Sequence, residues 1–197
     1  SSTTPWQGAG LYARGVTLTL RYVNVYSNVI DVFDASGSLA YGGGAAVEGG
    51  SLRVERSVFR RNSNWAHAYS SGGGLSISGT LTATVSTSLF QENDAWSASG
   101  LHFIGGDSPL LVSDCAFEGN GWGHSPGSAF GGYAGAMEIV DARAHLVGNC
   151  FRSNRANNDY GAVSITYSKL DLERNIITGT ECARTSGLRL YYVAPFT

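Results

Sequence analysis

Cysteine, proline, methionine and lysine are all scarce in this 197-residue chain. It holds three cysteines, four prolines, one methionine and a single lysine, Lys169, among thirteen basic residues. Cys115, Cys150 and Cys182 form an odd set with no Cys-x-x-Cys pair. At most one internal disulfide can form, which excludes a cysteine-stapled scaffold and a zinc ribbon. Whether Cys150 or Cys182 belongs to such a bond is left open by the spacing. Excess charge of one sign is also missing. Thirteen Lys and Arg against fifteen Asp and Glu leave a net charge of −2. Nucleic acid and anionic membrane surfaces are therefore not expected partners, because both need a basic face. No apolar run approaches the roughly 20 residues of a membrane helix, so no membrane insertion is expected. Phosphate loops, nucleophile elbows and His-Glu-x-x-His motifs are absent, and no cofactor or metal is expected. The chain opens on Ser1 without a basic stretch leading into an apolar one. It is expected to be a mature fragment or a slice of a longer protein.

What is abundant is glycine, with 27 residues, and apolar side chains, at 43%. With only 14% charged residues, this is not the composition of a disordered chain. The length fits one domain over residues 1–197. Glycine is too frequent, and no 3.6-residue stripe persists, for helices to carry the fold.

An internal repeat does persist. Phe-x-x-Asn recurs as Phe59–Asn62, Phe90–Asn93, Phe117–Asn120 and Phe151–Asn154, with degenerate copies at Val25–Asn28 and Ile177–Thr180. Before each copy two apolar residues stand two apart: Leu18 and Leu20, Leu52 and Val54, Ala83 and Val85, Leu110 and Val112, Ala144 and Leu146, Leu170 and Leu172. A second such pair follows the glycines of each repeat, as Val47 follows Gly42-Gly43-Gly44 and Ala45, and Leu75 and Ile77 follow Gly72-Gly73-Gly74. A spacing of two is the strand period. One repeat is too short to bury its own apolar face. Stacked repeats can, by pairing each strand in parallel with its copy in the next turn, which makes a parallel β-helix. The Phe column is then an internal stack about 4.8 Å apart, and the Asn column a buried ladder whose amides satisfy one another.

The Gly-Gly-Ala-like openings (Gly43-Gly44-Ala45, Gly73-Gly74-Leu75, Gly135-Ala136-Met137, Gly161-Ala162-Val163) together with Phe-x-x-Asn resemble the repeat of the polymorphic outer-membrane protein family, over roughly residues 8–190. That resemblance implies an all-β, single-stranded, right-handed parallel β-helix of six to seven coils, of pectin-lyase-like class. It also implies an extracellular or cell-surface, structural or adhesive role. Two repeats depart from the pattern. The fourth opens with Ala98-Ser99-Gly100, and the sixth has lost both Phe and Asn. The open ends of such a solenoid are expected to meet flanking domains or partner subunits.

Two groups of residues are candidates for chemistry. Residues between the inward ones of the first strand form a column expected to face solvent: Tyr12, Ala46, Ser76, His102, Glu138, Ser164 and Arg189. His102 and Glu138 are weak catalytic candidates, as an acid/base pair on adjacent rungs. The competing expectation is a surface ion pair. The column lacks the acidic cluster of a calcium site. This favours a non-catalytic module over the alternative, a polysaccharide lyase or glycoside hydrolase of pectin-lyase-like fold. The second group follows the Asn ladder: Trp65, Trp96 and Trp122, with His67 and Tyr69 in the same loops, 63–71 and 121–133. A row of rings at rung spacing suits a glycan chain, and packing over the loop bases is the competing expectation.

Overall fold

A computed structural model describes residues 6–32, 39–66, 69–121, 134–156, 161–182 and 187–195. These residues form strands and tight corners, and the strands pair in parallel with their copies one coil on. The chain is a parallel β-helix. Its first sheet stacks Leu11–Arg14, Ala45–Glu48, Leu75–Ser78, the opening parts of Leu101–Ser113 and Met137–Val147, then Val163–Thr166 and Leu188–Tyr191. The second stacks Thr17–Arg21, Ser51–Glu55, Thr82–Ser86, the closing parts of the same two long strands, Lys169–Glu173 and Ala194–Pro195. The third stacks Asn24–Tyr26, Val58–Arg60, Leu89–Gln91, Ala116–Glu118, Cys150–Arg152 and Ile176–Thr178. Seven first-sheet rungs and six third-sheet rungs match the coil number expected from the repeats.

The core is the set of residues the period of two turns inward. The rings of Phe59, Phe90, Phe117 and Phe151 stack at 4.9, 4.8 and 4.8 Å, nearly parallel, and all are buried. Val25 and Ile177 continue the column at its two ends. The Asn ladder follows the third sheet. The backbone N–H of Asn62 donates to Asn93 Oδ1 at 3.0 Å, that of Asn93 to Asn120 Oδ1 at 3.1 Å, and that of Asn120 to Asn154 Oδ1 at 3.1 Å. Each side-chain amide also donates one coil back, as Asn93 Nδ2 does to Phe59 O at 2.8 Å. A second ladder lines the corner between the second and third sheets. There Ser57 N–H donates to Ser88 Oγ, Cys115 N–H to Asn149 Oδ1, and Asn149 N–H to Asn175 Oδ1.

Both ladders cap the same kind of corner. The residue before each ladder position turns the chain with a left-handed backbone: Tyr22, Arg56, Thr87, Asp114, Gly148 and Arg174 at one corner, Ser27, Arg61, Glu92, Gly119 and Ser153 at the other. Such a conformation costs an L-residue roughly 1–2 kcal/mol. The ladder side chain offsets that cost by bonding the backbone on both sides of the bend, as Ser88 Oγ does to Ser86 O at 2.7 Å. In the fourth coil the first corner is lost. First and second strands run on as Leu101–Ser113, with a register shift between Ile104 and Ser108.

Segment 63–71, expected to be a loop, instead contributes two short strands. Ser63–Ala66 pairs with Val29–Val32 and with Asp94–Ala95, and Tyr69–Ser71 pairs with Leu39–Tyr41. The Asn corner is sharp enough that the chain re-enters the coil stack at once. Segment 121–133 lies outside the described residues apart from Gly121. At the last coil, inward-column Leu172 and Leu190 are 40 and 49% exposed, so that edge of the core is uncovered in this chain.

Candidate functional site

The first-sheet column forms as expected in register, with Ser76 beside His102, His102 beside Glu138 and Glu138 beside Ser164. Its surroundings differ from expectation. His102 is only 4% exposed, and Ala46, Ser76 and Ser164 are buried with it. The pair is therefore not a surface ion pair on a bare sheet face. Ahead of two of the glycine openings, described residues bring side chains over the outside of the first sheet. Tyr41, from the strand Leu39–Tyr41, stacks its ring on the His102 imidazole at 6.1 Å between centroids, with 12° between the planes. Ser97 donates its hydroxyl to Glu138 Oε2 at 2.7 Å. Glu138 is partly exposed, and Tyr12 at the end of the column is exposed and donates its phenol to Glu48.

His102 has two polar neighbours. Its Nδ1 lies 3.2 Å from Ser76 Oγ, and its Nε2 lies 3.9 Å from Glu138 Oε2. Burial holds the imidazole below its ordinary pKa, against the upward pull of the Glu138 carboxylate. His102 is thus neutral near pH 7 and able to accept a proton. It lines one end of a groove of about 230 Å³, whose walls include Tyr41, Gln7, Glu48, Ser76 and Ser78 over the small side chain of Ala46. Burial also raises the pKa of the Tyr41 phenol, so it stays protonated and able to donate. An aromatic face, an amide, a carboxylate and two hydroxyls around an apolar floor can hold a small polyhydroxylated ligand.

The tryptophan row is described in part. The strand register sets Trp65 beside Asp31; on the next coil Asp94 and Ala95 pair with Ser63 and Asn64, and Ser97 with Ser71, so Trp96 lies between these paired positions. Both rings are half-buried, and the Trp96 backbone N–H donates to Ser70 Oγ at 3.0 Å. Trp122 and His67 lie outside the described residues, and of Tyr69 only the backbone is described. Tyr41, which stacks on His102, and Ser97, which bonds Glu138, are the residues that the sequence pattern did not connect to the column. The column already sets Ser76 beside His102, one rung earlier.

The third-sheet outer column pairs as its charges require. Arg152 donates to Glu118 at 2.7 Å, and Arg60 and Arg61 both reach Glu92, at 3.4 and 2.6 Å. The second sheet does the same with Arg21 and Arg53 on Glu55, whose carboxyl the two guanidiniums hold below its ordinary pKa. The Cys115 thiol is buried and pushed up to about 12 by that burial, which leaves it inert. No family model, no curated protein and no solved structure matches this chain.

Proposed function

We propose that this chain is a non-catalytic structural and adhesive β-helix module of an extracellular or cell-surface protein, one that makes contact with glycans. The observation carrying this proposal is where the polar side chains go. The Asn and Ser side chains of the interior bond the corners, and the charges of the outer faces pair across rungs. A scaffold of this kind presents long, rigid, evenly spaced faces, which suits adhesion and extended ligands. Flanking domains or partner subunits fit the exposed apolar edge at Leu172 and Leu190. The likeness of the repeats to the polymorphic outer-membrane protein family, resting on Gly-Gly-Ala and Phe-x-x-Asn, agrees with the surface role.

Two places could meet a glycan: the Tyr41–His102 groove and the Trp65–Trp96 corner. A glycan array probed with the native chain, with Tyr41→Ala, and with Trp65→Ala, Trp96→Ala and Trp122→Ala combined tests both. Loss of binding in one variant that still folds assigns the contact. Equal binding by all three chains returns these rings to packing, and no binding by the native chain removes the glycan from the proposal.

A second reading, a polysaccharide lyase or glycoside hydrolase, is favoured by one observation. A neutral imidazole, near a carboxylate, lines a groove large enough for a sugar unit. Turnover of acidic or neutral polysaccharides that disappears in His102→Ala would put this second reading in place of the first.

A further inference from the structure

The outer side of the second sheet carries a cluster that the sequence analysis, which expected no metal, did not single out. We propose that His145, Asp171 and Glu173 form a binding site for a divalent transition-metal ion of the zinc type. His145 and Asp171 are register partners on adjacent coils, and Glu173 lies two residues beyond Asp171 on the same side of its strand. The three side chains are therefore brought together by the coil itself rather than by a flexible loop.

His145 Nε2 is 3.5 Å from Asp171 Oδ2 and 3.9 Å from Glu173 Oε1, and the donor atoms of all three residues lie within 4.8 Å of one another. These separations exceed hydrogen-bond length. Nε2 is shielded from water and makes no hydrogen bond. A nitrogen so placed, facing two carboxylates, has the surroundings of a metal ligand. A zinc ion with bonds of about 2.0–2.1 Å holds tetrahedral donors about 3.3 Å apart. The two histidine spacings are wider by up to about 0.6 Å and the whole set spans up to 4.8 Å, so binding an ion requires the two half-exposed carboxylate side chains to draw in. One imidazole and two carboxylates suit zinc and its neighbours in the transition series. Calcium and magnesium prefer sites built from oxygen alone. Three protein donors leave a coordination position for water.

The ion would tie together two adjacent coils next to the uncovered edge at Leu172 and Leu190. Binding would then appear as stability of the last coils as well as affinity. The test is calorimetric titration of Zn²⁺ into the 197-residue chain without a histidine tag, alongside His145→Ala and Asp171→Asn. All three side chains are partly exposed, and circular dichroism checks that the variants fold. The native chain should show one saturable site and a higher melting temperature with Zn²⁺, and the His145 imidazole nitrogen resonance should move on titration. Each variant should bind at least about tenfold more weakly, since even groups that only support a ligand contribute that much. Absence of saturable binding overturns the proposal. So does affinity unchanged in both variants, which would place the ion elsewhere on the chain.

Discussion

Replacing Phe117 by Ala tests the core more sharply than any other single change. Phe117 is fully buried, with Phe90 stacked 4.8 Å away on one side and Phe151 4.8 Å away on the other. Truncation removes the transfer free energy of the ring and leaves a cavity, together about 3–5 kcal/mol for a buried Phe. It also removes two ring–ring contacts, each of about 0.5–1.5 kcal/mol beyond area burial. Collapse around the gap is hindered, because the walls are sheet strands whose spacing is fixed by hydrogen bonds. We therefore expect a loss near the top of the range, about 5 kcal/mol for Phe117→Ala and the same for Phe90→Ala. Phe59 and Phe151 each keep a ring on one side only, with Val25 or Ile177 on the other. Their truncation should cost about 4 kcal/mol. The assay is denaturant unfolding of the four variants, compared at unchanged m-value. A loss below about 1 kcal/mol for Phe117→Ala, far outside that range, refutes the inward stack. A larger loss at Phe59 and Phe151 than at Phe90 and Phe117 refutes the stacking contribution.

Three further outcomes follow from the same structure. Asn93→Ala leaves the Asn62 N–H without its acceptor and Phe59 O without its side-chain donor, both in the dry interior. At about 1–3 kcal/mol per unsatisfied group, the denaturant melt should show a loss of about 3 kcal/mol, and an unchanged midpoint would contradict the ladder. The folded chain holds the His102 pKa below its unfolded value of about 6.5. The unfolded state therefore binds the extra proton first as pH falls. Stability should be complete above that value and decline below it, by at most about 1.4 kcal/mol per pH unit, until the lowered native value is reached. A pH series of melts for native chain and His102→Gln measures this, and identical slopes would show that His102 is not buried as a neutral ring. Cys115, buried with its thiol pKa raised to about 12, should resist alkylation in the folded chain and react on unfolding. Mass spectrometry after a timed iodoacetamide pulse reads it, and native-state labelling would refute the burial.

The repeat was legible in the sequence because strand period and stacking impose themselves residue by residue. Leu52 and Val54, or Leu110 and Val112, can be read as inward from spacing alone, and Phe-x-x-Asn carries the register from coil to coil. The corners were not legible. Left-handed backbone is usually announced by glycine, yet only Gly119 and Gly148 do so here, and the other bends fall at residues such as Tyr22, Arg56, Thr87, Asp114 and Arg174. What stabilises them is the side chain of the following residue bonded to the next coil, a partner that no local window contains. The strands within 63–71 escaped for a similar reason. Polar Ser63 and Asn64 carry little strand preference of their own and are drawn into the ladder by Val29–Val32 below and Asp94–Ala95 above.

The candidate sites separate along the same line. The column His102–Glu138 was predictable, because it is set by register. Its burial was not, because that depends on Tyr41 and Ser97 leaning in from segments outside the repeat motif, whose length changes from coil to coil. A face residue is outward only where nothing packs outside it. The cluster on the second sheet shows the limit more plainly. His145 and Asp171 touch because they are one coil apart, and the coil there is 26 residues long, whereas the Asn ladder elsewhere steps by 27, 31 or 34. Ligands on a helix or in a tight loop recur at fixed short spacings and can be recognised as motifs. Ligands set on successive rungs of a solenoid are separated by whatever the intervening loops happen to add. Such sites become visible once the register is known, and aligning each coil on its ladder residue before looking for clusters would have placed His145, Asp171 and Glu173 side by side.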